Sequence, residues 1–455
     1  VKNFLIYILL ISIITLFLNS CLPVITKQTE EPVKETPPEK ESPVVEHTLE
    51  NGLKMFIAED HKSPIATFQI WYKAGSIVEP KGKSGITHFL EHMMFKGTKK
   101  YASKEFSRII QKNGGVDNAY TTNDYAMYYQ TLASDRINLS IEMEADRMVN
   151  LLLNPKEVEA EKKVIMEERR LRYEDDPQNL LFEKVTAAAM ANSPYKNPVI
   201  GWMDEIKSIT REDLVTFNKK YYVPNNAFIV ISGDVNHEEI IREIEDKFGK
   251  IPSNPINEQI VIPELVINKG QERLVLEKQA KLPYLIQAYN VPSIPDKDSY
   301  CLEVLVSILT GNSGRLYENI VKDKKIALDT FSFYSGLYKA PYLLYLGGTV
   351  NNSWHSIEEL EDAIYQEIDK IKETPPLEKE VQKAKNQIEA AFIMGQDSIF
   401  FEAEVVGMFE ILGDWRLKQT YLDEINNVTP IDVQNAAKKY LNKENSTVGI
   451  LIPKE

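Results

Sequence analysis

A long-period repeat constrains this 455-residue chain more than any other feature. Asp204-Glu205-Ile206 returns as Asp423-Glu424-Ile425, and Asp213 with Lys219-Lys220-Tyr221 returns as Asp432 with Lys438-Lys439-Tyr440, all at the single ungapped offset that carries Asp213 to Asp432. Thr210 and Thr429 keep that offset, as do Asn226 and Asn445, and each copy runs on into an apolar segment, 228–231 and 448–451. A period of this length is a duplicated domain, too long for a solenoid. Homologous halves are therefore expected at 47–250 and 271–455, joined by the Pro-containing linker 251–270.

The first 46 residues stand apart from both halves. Lys2 precedes an apolar run over 4–18, shorter than a membrane span and suited to a signal peptide. Leu18-Asn19-Ser20-Cys21 closes it and resembles the lipobox of bacterial lipoproteins, so cleavage would leave a lipidated Cys21 at the new N-terminus. An uncleaved anchor helix is the alternative; either way the folded part is exported and tethered to a membrane, on the periplasmic face of the envelope. The segment 22–46, rich in Pro, Glu, Lys and Thr, cannot bury enough apolar surface to offset chain entropy and reads as a disordered spacer. Beyond Cys21 only Cys301 remains, so no intramolecular disulfide is expected once Cys21 is lipidated. A net charge of −14 excludes a nucleic-acid partner, which would demand an excess of Lys and Arg.

Local patterns place strands and helices in the first half. Asn51-Gly52 suggests a type I′ turn, followed by alternation at Leu53, Met55 and Ile57 and a second strand over 66–72. Helical spacing covers 84–95, 104–113 behind the candidate cap Ser103, and 135–153. Asn154-Pro155-Lys156-Glu157 opens a further helix expected to reach about Tyr173.

Chemistry enters at His88-Phe89-Leu90-Glu91-His92. On a helix the two imidazoles project from one side, about 6 Å apart along the axis, where they can share one ion. Glu91 is then near enough to reach a water on that ion, the inverted form of the His-Glu-x-x-His zinc signature. A catalytic zinc takes three protein ligands, so an acid is missing. On the helix after Pro155, the positions Val158, Glu161, Val164, Ile165, Glu168 and Leu171 fall on one face, and Lys163, Glu167 and Arg170 on another. An acid on an apolar face needs a strong partner, which selects Glu168 as the third ligand over Glu167. Glu161, two turns earlier, suits an orienting role or a plain buried ion pair. Zinc held by two neutral imidazoles and one carboxylate stays net positive and acidifies its water toward a pKa of about 7, a proton Glu91 can take.

These residues resemble the pitrilysin and insulin-degrading family, which includes the mitochondrial processing peptidases. Its His-x-x-Glu-His pattern is followed well downstream by a Glu ligand, and Glu168 stands after His92 at the spacing the family keeps. The resemblance implies an α+β fold of two homologous halves, each an antiparallel sheet with helices, closing like a clam around an unfolded peptide, with one zinc per chain. It also implies an orienting role for Glu161 and a substrate-pairing edge strand within 114–120, where Asn118, Ala119 and Tyr120 would bind peptide backbone. Setting 308–311 against 94–97 puts Leu302, Leu305 and Val306 opposite His88, Glu91 and His92, so the second half lacks a metal motif.

One departure matters. Where active members carry an Arg and, seven residues later, a Tyr that bind substrate and steady the oxyanion, this chain has Val321 and Leu328. The resemblance then implies a homologous partner subunit supplying that pair; the competing idea is that Lys322 or Tyr334 substitutes locally. The expected function is a zinc endopeptidase acting outside the cytoplasm; the alternative is a non-catalytic peptide-binding or assembly lipoprotein with a structural zinc. Glu91 favours the first, because a structural site needs no base.

Overall fold

The computed structural model describes residues 44–254, 263–267 and 270–454. Cys21, the apolar leader, nearly all of the spacer and part of the linker lie outside the described residues.

The first half runs β1 (Val45–Thr48), β2 (Lys54–Glu59), β3 (Ile65–Tyr72), α1 (Ile86–Met94), α2 (Glu105–Lys112), β4 (Val116–Thr121), β5 (Ala126–Ala133), α3 (Ile137–Asn150), α4 (Pro155–Arg169), α5 (Pro177–Ala189), α6 (Met203–Ser208), α7 (Arg211–Tyr221), β6 (Ala227–Gly233) and α8 (His237–Phe248). The second half runs β7 (Glu272–Gln279), β8 (Tyr284–Val291), α9 (Lys297–Leu309), β9 (Ala327–Phe333), β10 (Tyr342–Val350), α10 (Ile357–Glu373), α11 (Glu378–Gln396), α12 (Ile399–Leu412), α13 (Leu417–Asn427), α14 (Pro430–Tyr440) and β11 (Ser446–Lys454).

The repeat is carried into structure residue for residue. Helix α7 spans 211–221 and α14 spans 430–440, and each opens on a reciprocal capping box, Thr210 with Asp213 and Thr429 with Asp432. Such a box satisfies two otherwise unpaired backbone donors at once, which explains why the repeat preserved these pairs. The fold is α+β in two halves, as expected, but the sheets are mixed. Their orders are β1-β2-β6-β3-β5-β4 and β7-β11-β8-β10-β9, with β6 parallel to β2 and β11 parallel to β7. The reason is topological: the last strand of each half enters between two consecutive antiparallel strands and must run parallel to one of them. The turn at Asn51-Gly52 also differs from type I′. Gly52 alone has positive φ, +85°, and its N–H donates to Leu49 C=O, so a hydrogen-bonded turn is followed by a left-handed glycine. Ser103 does not cap α2, which starts at Glu105.

Each half lends one helix to the other. Leu181, Val185 and Ala189 of α5 pack on Ile286, Ala288, Leu343, Tyr345 and Leu451 of the second sheet. Conversely, Ala403, Val406 and Ile411 of α12 cover Phe56, Trp71, Met127, Phe228 and Val230 of the first. Glycine permits both approaches: a Cβ on Gly407 would stand 2.4 Å from the Trp71 ring, and one on Gly449 would stand 2.2 Å from Val185 Cγ2. In α9, Leu302, Leu305 and Val306 are buried in the second core, so the face that bears histidines in α1 is ordinary packing here.

Replacing Gly407 by Val should lower stability by about 1–3 kcal/mol through overpacking against Trp71. Urea denaturation followed by tryptophan fluorescence measures it, and an unchanged midpoint would show that the helix exchange is loose.

Candidate metal centre

Helix α1 is held at its start by acids from elsewhere. Gly85 has φ +85°, and the half-buried Glu79 carboxylate accepts from the N–H groups of Gly85 (2.9 Å) and Thr87 (3.0 Å), while Glu205 accepts from Ser84 N–H (2.7 Å). Backbone N–H groups at a helix N-terminus lack partners within the helix, so these acceptors anchor the element bearing both histidines where it begins. One turn on, the rings of His88 and His92 lie 4.7 Å apart.

Helix α4 supplies the acids. Asn154 accepts from Lys156 N–H at its cap, and Pro155 follows. Its buried face is narrower than the sequence spacing suggests. Val158, Glu161, Ile165 and Arg169 are buried, but Val164 is 50% exposed and Leu171 63% exposed. Arg169 takes the inward position, and a π-helical turn over Arg170–Glu174 carries Leu171 off the stripe. Glu168 survives as the acid facing the histidines and Glu167 does not: Glu167 pairs with Arg170 at the surface.

Three donor groups converge. One nitrogen each from His88 and His92 and one oxygen from Glu168 lie within 4.8 Å of one another. Glu168 Oε2 is 3.4 Å from His92 Nε2 and 4.0 Å from His88 Nε2. His92 Nδ1 is occupied, 2.9 Å from Glu161 Oε1, which leaves Nε2 facing the shared space. Lys96 Nζ lies 2.5 Å from the other oxygen of Glu161, and Arg172 lies 2.7 Å from Glu168 Oε1. Two imidazoles and one carboxylate, with a carboxylate behind one imidazole, fit a tetrahedral zinc with one open position.

Charge is distributed unevenly over this cluster. Burial, reinforced by neighbouring His92, holds His88 down to about 3, so it is neutral. Burial also opposes the cation at His92, but the hydrogen bonds with Glu161 and Glu168 win and push it up to about 9. Burial would raise Glu168, yet its bond with His92 and the charge of Arg172 bring it to about 2. Glu91, on the same helix, is raised by burial while Thr121 donates to its Oε2 at 2.5 Å.

Around the cluster, β4 is the edge strand of the first sheet and carries Asn118, Ala119 and Tyr120. Tyr120 donates to Glu404 of α12 at 2.6 Å, and Ala119 is buried. Val321 lies half-buried in a π-helical segment and Leu328 is 50% exposed on edge strand β9. Neither local substitute is well placed: Tyr334 is buried and donates to Pro292 C=O at 2.7 Å, and Lys322 pairs with Glu318 at the surface. Spacing could have flagged Lys96 and Arg172, each four residues after a cluster member; Thr121 and Glu79 carry no such signal, since other segments bring them in.

Two half-domains of this topology and, among the described residues, one His-His-Glu cluster match the architecture of a metallopeptidase, and comparison agrees. A model described as Insulinase (Peptidase family M16) matches residues 54–202 and one described as Peptidase M16 inactive domain matches 208–388, so the chain belongs to peptidase family M16. It is 30% identical over 414 residues to Zinc protease PqqE of Helicobacter pylori, covering 89% of this chain and 92% of that one. The probable mitochondrial-processing peptidase subunit beta of Arabidopsis thaliana is 26% identical over 420 residues, covering 89% and 78%. Among solved structures, a protease from Helicobacter pylori superposes with a TM-score of 0.86 at 28% identity, covering 91% of this chain and all of that one.

A divalent ion entering the cluster must displace the His92 proton. At pH 7 that proton is present, because the group titrates near 9, whereas His88 is already neutral and Glu168 already charged. Zinc uptake by the metal-free protein should therefore release one proton and strengthen about tenfold per pH unit up to pH 9, then level off. Calorimetry in buffers of different ionisation enthalpy reads the proton count, and zero protons at pH 7 would contradict the assignment.

Proposed function

We propose that this chain is a zinc endopeptidase in which His88, His92 and Glu168 hold one metal ion and Glu91 is the general base. The observation carrying this reading is the convergence of three donor groups beside a buried carboxylate on the helix that bears the two histidines. When bound, zinc supplies the Lewis acidity that polarises a peptide carbonyl and makes water acidic. Burial makes Glu91 a stronger base than a surface glutamate. Its Oε2 is steadied by Thr121, so the carboxylate can take the proton of the attacking water and pass it to the leaving amine. Glu161 fixes the His92 ring and its tautomer. The outer edge of β4, through Asn118, Ala119 and Tyr120, offers backbone groups to an extended peptide, which suits an unfolded substrate.

Val321 and Leu328 leave the second half without the donors expected there, since neither side chain forms hydrogen bonds. We infer a homologous partner subunit that supplies them, a reading supported by the relative from Arabidopsis thaliana, whose name makes it a subunit. We place the protein in the cell envelope, anchored through Cys21, on the strength of the leader and lipobox residues.

Glu91→Gln should lower peptide hydrolysis about 100-fold or more while bound zinc, measured by elemental analysis, stays at one per chain. Equal hydrolysis by both proteins would end the mechanism. Val321→Arg combined with Leu328→Tyr should raise kcat/KM of the isolated chain by about 100-fold, because one oxyanion donor is worth about that much. No gain, together with full activity of the unmodified chain alone, would remove the need for a partner.

A further inference from the structure

Glu168 sits in the last turn of α4, one residue before the helix ends and the backbone opens into a π-helical turn. Helix ends fray, and an acid that must meet two imidazoles within a few tenths of an ångström needs something to fix it there. Its neighbour Arg169 provides a fixed point. The guanidinium makes two parallel bonds to Glu183 of α5, Nη1 to Oε2 at 2.8 Å and Nη2 to Oε1 at 2.9 Å, and both residues are buried. Tyr173 and Trp202 each lie 5.5 Å from the same guanidinium. A fork of this kind sets angle as well as distance. A buried ion pair is weak evidence of stability, since apolar residues of similar volume often do as well.

The helix bearing Glu183 belongs mechanically to the other half. Thr186 and Tyr345 hydroxyls lie 2.8 Å apart, Asn290 donates to Ala189 C=O at 3.1 Å, and Val185 rests on Gly449. Lys278 of β7 also donates to Glu174 C=O at the end of the π-helical turn. From Glu168 to the second sheet there is thus an unbroken run of contacts through Arg169, Glu183 and α5.

We infer that Arg169 and Glu183 are positioning residues for Glu168, and that through α5 the docking of the second half sets the geometry of the metal cluster. The inference rests on the proposed metal-binding role of that cluster. It makes zinc affinity a property of both halves together, although all three ligands come from one.

The test compares full-length wild type with Glu183→Gln, with the double variant Arg169→Met/Glu183→Leu, and with Gly449→Val. The double variant leaves no unpaired buried charge and so stays folded if the single one does not. Gly449→Val pushes on α5 from the far side without touching a charge or a ligand. Zinc alone is the probe, its Kd read by chelator competition well below each variant's Tm, with kcat and KM measured on one peptide. All three variants should raise the zinc Kd about tenfold or more and lower kcat with KM unchanged. A folded double variant with wild-type Kd and kcat would show that the pair serves stability only and would overturn the inference. An unchanged Kd in Gly449→Val would break the link to the second half. Wild type that takes up no zinc would sink the reading of the cluster itself, an outcome distinct from losses confined to the variants.

Discussion

Two imidazoles one turn apart on a helix cannot by themselves hold a catalytic ion; an acid has to be carried to them from another element and kept there. In this chain that constraint organises the first half. Helix α1 is pinned at its start by Glu79 and Glu205, and α4 is laid against it so that Glu161 meets the outer nitrogen of His92 and Glu168 meets the inner one. Burying this much charge is costly unless each group has a partner. Lys96 and Arg172 supply the balance from the two helices' own spacing.

The second half shows what the same scaffold does without that demand. Helix α9 occupies the place of α1, and Leu302, Leu305 and Val306 pack at the positions set against His88, Glu91 and His92. Nothing in the duplicated topology requires chemistry, and here that face is given over to apolar packing. In this chain the His-His-Glu cluster lies on one of two equivalent frames, and Val321 and Leu328 of the other carry apolar side chains.

Much of this was legible in the sequence because the signals were local. The repeat and the choice of Glu168 over Glu167 follow from one offset and from spacing along one helix. What escaped depends on chain segments meeting. The mixed character of the sheets arises only when β6 and β11 insert between earlier strands. Val164 and Leu171 fit the apolar stripe of an ideal helix, yet the real one ends in a π-helical turn with Arg169 inside. Thr121 reaches Glu91 from a separate strand, which no periodicity could reveal.

The exchange of helices also has a consequence for how the molecule comes into being. Synthesis completes the first sheet at Gly233, but the α12 residues that roof its aromatic side are finished only at Leu412, after most of the second half has been made. Throughout that interval Phe56, Trp71 and Phe228 have no cover of their own, and α5 likewise waits for a sheet that does not yet exist. The nascent N-terminal portion therefore exposes an apolar face until its cover is made, and commitment to the native shape is postponed until α12 has emerged.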